Sequence, residues 1–200
     1  FGIGAIQAAR ISAKVLDTSV ALGISSSEAA ELFGSFISIG GLSLEQAENL
    51  AESTYQLAQQ NKVNPSAVMK DMAASAELIA KFGVQNLESI TKAAIKSRQL
   101  GLNLNDIANA SEGFLDFQGS LTKEFEAEIL LGRDLELSRA RQFALAGDLD
   151  GVMSEIVKNV GSENALLKMN VIQRRALAAA VGMNERGLVQ LIRQQDKSVV

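Results

Sequence analysis

A short signal recurs between Gly23 and Asp106 and limits the fold more than any other feature of the chain: glycine, an apolar residue, a small polar residue, then an acid or amide three places on. It stands at Gly23-Ile24-Ser25-Ser26-Ser27-Glu28, Gly41-Leu42-Ser43-Leu44-Glu45-Gln46 and Gly101-Leu102-Asn103-Leu104-Asn105-Asp106, with a weaker form at Gly83-Val84-Gln85-Asn86-Leu87-Glu88. Glycine after a last helical turn takes the left-handed conformation without a Cβ penalty and caps the terminal carbonyls. The Ser or Asn that follows accepts a bond from an orphan amide of the next helix, and Glu28 or Gln46 returns it as a capping box. Val63-Asn64-Pro65-Ser66-Ala67-Val68 does the same in another form: Asn64 caps, Pro65 takes the first helical position and Val63 staples to Val68. The starts at Ser25, Ser43, Asn64, Gln85 and Asn103 lie 18, 21, 21 and 18 residues apart. That spacing describes short helices of one length stacked in pairs, close to a two-helix repeat.

Apolar spacing fills in the helices. The first is expected over Ala5 to Leu22, and the second reaches Ser38 before Gly40-Gly41, burying Leu32, Phe33, Phe36 and Ile37. The third, Leu44 to Gln60, has the clearest stripe, at Ala47, Leu50, Ala51, Thr54, Leu57 and Ala58, with Glu45, Glu48 and Glu52 outside. The fourth, Pro65 to Phe82, buries Val68, Met69, Met72, Ala76 and Ile79, its methionines serving as core filler. The fifth, Asn86 to Leu100, turns Leu87, Ile90 and Ala94 inward and the basic trio Lys92, Lys96 and Arg98 outward as a solvated face. Past Asn103 the rhythm changes, so two regions are expected: 1–119, repeat-like helical hairpins, and 120–200, a cluster of short helices ending in a helix-turn-helix-like corner.

In that second region Lys123 to Gly132 alternates like a strand over Phe125, Ala127 and Ile129, yet its residues are good helix formers, so a helix capped by Ser120 and ended by Gly132 is expected. Glu124 and Glu128 then share a face. Paired carboxylates suit a metal or acid-base chemistry, but with no third acid at matching spacing they read as a solvated acidic face. Further helices end at Gly147 and Gly161, and Ser162 and Asn170 open two more. Gln173 to Ile192 has helix-turn-helix spacing, with Ala178 four before the turn Gly182 and Leu188 and Leu191 buried beyond it. Arg174, Arg175, Arg186 and Arg193 against Glu185 make this stretch basic.

Composition excludes more than it suggests. One proline, one tyrosine and no tryptophan favour helix over strand. There is neither cysteine nor histidine, which removes disulfides, thiol and imidazole catalysis, and Cys/His metal sites from this segment. Nineteen basic against twenty-three acidic side chains leave a net charge of −4, against a nucleic-acid surface. The longest uncharged run, Leu32 to Leu44, has 13 residues and three glycines, too short and broken to span a bilayer. Gly2-x-Gly4 with Ala8 faintly matches a dinucleotide loop but lacks the preceding strand. The chain opens at Phe1 without a methionine, so it is expected to be part of something longer, with residues 1–6 ending an upstream apolar helix.

Three stretches together resemble the tape-measure proteins of long-tailed bacteriophages, particularly contractile-tailed ones. They are Leu22 to Leu32 with its echo at Gly41 to Leu50; Gly119 to Ala146, with Glu126-Ala127-Glu128-Ile129-Leu130-Leu131-Gly132-Arg133-Asp134-Leu135 and Ala140-Arg141; and Met169-Asn170-x-x-Gln173-Arg174-Arg175-Ala176-Leu177-Ala178 running into Gly182-Met183-Asn184. The similarity covers most of residues 20 to 195. It implies a non-enzymatic virion structural protein, assembled in the host cytoplasm, that lies in the tail lumen or at the baseplate. Such a protein contacts the tail tube or baseplate hub, forms a homo-oligomer around the tail axis, and helps set tail length and genome ejection. A compact, glycine-punctuated segment fits an end region of such a protein rather than its extended ruler. No catalytic, cofactor-binding or metal residue, no cofactor and no small-molecule substrate is implied. The competing class is a DNA-binding protein built on the Ala178 to Ile192 corner; a third is an enzyme using carboxylates and arginines alone.

Overall fold

The computed structural model describes the backbone of residues 5–198 and the side chains of 12–194, Val84 excepted. The Gly2-x-Gly4 stretch and the apolar start at Phe1 lie outside them. Among the described residues the chain is all-α, with no strand. The helices are α1 (Ala5–Leu22), α2 (Ser26–Ser38), α3 (Leu44–Gln60), α4 (Pro65–Ala74), α5 (Ala76–Phe82), α6 (Leu87–Gln99), α7 (Leu104–Leu115), α8 (Phe117–Leu131), α9 (Ser138–Ala146), α10 (Leu149–Val160), α11 (Glu163–Lys168), α12 (Val171–Ala180) and α13 (Glu185–Ser198), with a 3-10 turn at Val84–Asn86 before α6.

The predicted punctuation is there in atomic detail. Ser25 Oγ accepts the Glu28 amide at 3.2 Å while Glu28 Oε2 accepts the Ser25 amide at 2.9 Å. Ser43 and Gln46 repeat the exchange at 3.2 and 2.9 Å, as do Asn103 and Asp106 at 2.9 and 3.2 Å. Asn64 Oδ1 accepts the Ala67 amide with Pro65 opening α4. Each such cap is worth about 1 kcal/mol. Glu28 also binds Lys70 Nζ at 2.8 Å. That bond, then those from the Ser25 amide and hydroxyl, lower the Glu28 carboxyl to about 2.

Three expected helix boundaries are corrected. The single helix over Pro65 to Phe82 is two, broken at Ser75, whose φ of −115° and ψ of 25° leave the helical region. The run Ala73-Ala74-Ser75-Ala76 offers no bulky side chain to hold the turn, and the break lets Leu78, Ile79 and Phe82 bury. Gln85 does not cap α6: the residues after Gly83 wind into the 3-10 turn, and Asn86 Nδ2 donates back to the Phe82 carbonyl at 2.7 Å. Ser120 does not cap α8 either. Asp116 does, accepting the Gly119 amide at 3.1 Å, so α8 starts earlier and carries Ser120 into the interior.

The chain divides into two compact units, Phe1–Thr91 and Lys92–Val200, with the boundary inside α6. This differs from the change of sequence rhythm at 119/120, because α7 packs on α8, α9 and α10 of the second unit. In the first unit α1 packs on α2, α3 on α4, and α2 on α4. Its core includes Phe36, Met69, Met72, Ile79 and Ile90, with Thr54 and Thr91 hydroxyls directed at Met72 Sδ at 3.7 and 3.8 Å. Ile37 and Leu57, expected inside, are only half-buried. The second unit is built on Leu104, Ile107, Leu137, Leu149, Met153, Ile156 and Leu177. Full burial of each such side chain stabilises by about 1.5–3 kcal/mol.

Candidate interaction surface

Helix α8 is inverted with respect to an ordinary surface helix. Its inner face carries Ser120, Glu124 and Ala127, all buried, while Phe117, Leu121, Phe125 and Ile129 point outward, 63, 41, 65 and 65% exposed. Those four are spaced by four, so they form one row along the helix. This explains the strand-like alternation of Phe125, Ala127 and Ile129: both faces of α8 hold apolar residues, and only Ala127 is inside.

The inner face is polar because it holds a neighbouring segment in place. Glu124 Oε2 binds Arg141 Nη2 of α9 at 2.6 Å, and Arg141 Nη1 donates to Ser120 Oγ at 3.0 Å. Glu124 Oε1 accepts the Leu137 amide and Glu128 Oε1 the Leu135 amide, each at 2.8 Å. Between them the Glu136 amide donates to Asn159 Oδ1 of α10 at 2.8 Å, and Arg133 Nη2 donates to the Asn159 carbonyl at 2.6 Å. Neither the solvated acidic face nor a metal pair describes Glu124 and Glu128: they are acceptors for the irregular 132–137 connection. Among the described residues no group of acids is placed to hold a metal ion.

At the far end of α8 the Gln173 side chain of α12 donates to the Leu130 carbonyl at 2.8 Å. Since α12 then runs on alongside α8, the two helices are antiparallel. The start of α12 carries two more outward apolar residues, Val171 and Ile172, 48 and 63% exposed.

The other candidates resolve differently. The predicted corner forms from α12, the turn at 181–184 and α13, with Leu188, Leu191 and Ile192 fully buried. Gly182, at φ +70°, lies so close to α7 that a Cβ there would sit 2.8 Å from Ala110 Cα. Of the four arginines, Arg175 is paired with Glu185 at 2.8 Å and Arg193 with Glu163 at 3.3 Å, which cancels much of the basic surface. Lys96 does not face outward with Lys92 and Arg98: its ammonium turns to Asp150 Oδ1 and Ser154 Oγ, both at 2.8 Å. Met69, Met72 and Met153 are fully buried core. In the first unit an open cleft of about 380 Å³ is lined by Lys14, Asp17, Glu48, Glu52 and Tyr55 among others. Among the described residues no helix is long and apolar enough to cross a membrane.

The class defined so far is an all-α chain of short capped helices whose most distinctive surface is an uncovered apolar row. Comparison with known protein families, with the curated proteins and with the solved structures finds no match.

Proposed function

We propose that this chain is a virion structural segment of a phage tail, of the tape-measure kind, whose work is to be held by other protein surfaces and not to catalyse a reaction. The supporting observation is the inversion of α8. With roughly 200 Å² for a fully exposed aromatic side chain and somewhat less for an aliphatic one, the exposures of Phe117, Leu121, Phe125 and Ile129 amount to about 400 Å² of apolar surface. At ~25 cal/mol per Å² that is on the order of 10 kcal/mol of burial left unrealised, comparable to the whole stability of a domain. The largest apolar patch on an ordinary monomer is of about this size and is often functional.

In this reading the segment lies in the tail lumen or at the baseplate, where the tail tube or hub proteins and further copies of the chain cover its apolar faces. It helps to set tail length and is displaced as the genome leaves. The test is mass spectrometry of purified tails from phage carrying the gene, alongside the tails made when the gene is deleted. The reading expects the chain inside the particle and short, absent or irregular tails without it. A chain missing from the particle, with normal tails after deletion, would overturn it.

The DNA-binding alternative has the α12–α13 corner in its favour and the charge pairing of Arg175 and Arg193 against it. It requires duplex binding that weakens steeply with salt and is lost on changing Arg186.

A further inference from the structure

We draw no further inference here: the strongest candidate, the outward apolar row of Phe117, Leu121, Phe125 and Ile129 along α8, is an unpartnered helix face that already supports the function proposed above, and nothing in the structure shows what covers it.

Discussion

Replacing Arg141 with leucine tests the account of α8 most severely. The Arg141 and Glu124 side chains are 8 and 9% exposed and meet at 2.6 Å, so removing the guanidinium strands a buried carboxylate with the Leu137 amide as its one remaining donor among the bonds described above. Breaking a buried pair from one side costs about 3–5 kcal/mol, and Ser120 Oγ loses its donor as well. Glu124→Gln keeps an oxygen to accept from Leu137 but leaves the buried Arg141 guanidinium without its counter-charge, so it too should cost about 3–5 kcal/mol. The double substitution should cost no more than Arg141→Leu alone, since no charge is then left buried. Because the chain has no tryptophan, Phe143→Trp on half-buried α9 gives a fluorescence reporter inside the second unit for urea unfolding. With a slope of about 1.5 kcal/mol per M, Arg141→Leu should lower the midpoint by about 2–3 M. A loss below 1 kcal/mol, or a double variant as costly as the two singles added, would refute the claim that these groups act as one buried unit.

Gly182→Ala should cost about 2–4 kcal/mol, since its positive φ is compounded by a Cβ meeting the Ala110 backbone. Gly132→Ala has similar φ but open space and should cost about 1 kcal/mol; equal melting shifts for the two would contradict the packing of the corner on α7. Ser111 Oγ is fully buried without a hydrogen-bond partner, so Ser111→Ala should raise stability by about 1 kcal/mol, and a destabilised variant would count against that reading. The Glu28 carboxyl, lowered to about 2 from 4.5, contributes stability that is complete above pH 4.5 and lost as pH falls toward 2. Glu28→Gln should therefore flatten the acid limb of the stability curve over that window and leave its shape near neutrality unchanged. In gel-shift titrations at low salt the chain should not retard duplex DNA; retardation abolished by changing Arg186 would revive the helix-turn-helix reading.

What the sequence discloses is what depends on near neighbours. Ser25, Ser43, Asn64 and Asn103 are readable as caps because the cap and the amide it serves lie three residues apart, and the same locality fixes the order and lengths of most helices. The inner face of α8 is not readable in this way. Whether Glu124 meets water or a guanidinium depends on Arg141, 17 residues on, and its second oxygen is claimed by a backbone amide that no side-chain pattern advertises. Asp116 is hard to pick out as a cap because Ser120 offers an equally acceptable start one turn later, and only tertiary contact with Arg141 decides between them. The break at Ser75 escapes for a related reason: nothing in Ala74-Ser75-Ala76 forbids a continuous helix, and the choice is made by where Leu78, Ile79 and Phe82 find cover. The exposed row of α8 is hidden in plain sight, since a period of four with apolar residues normally marks the side facing inward.

The irregular connection at 132–137 is bonded more like a helix than a loop. Successive amides of Leu135, Glu136 and Leu137 are each taken up by a side chain, from Glu128, Asn159 and Glu124, and Leu135 and Leu137 are themselves buried. Stretches without regular structure usually surrender first to proteases and to deuterium. Here they would be among the last, so a limited digest should cut elsewhere and recover α8, this connection and α9 as one uncut fragment.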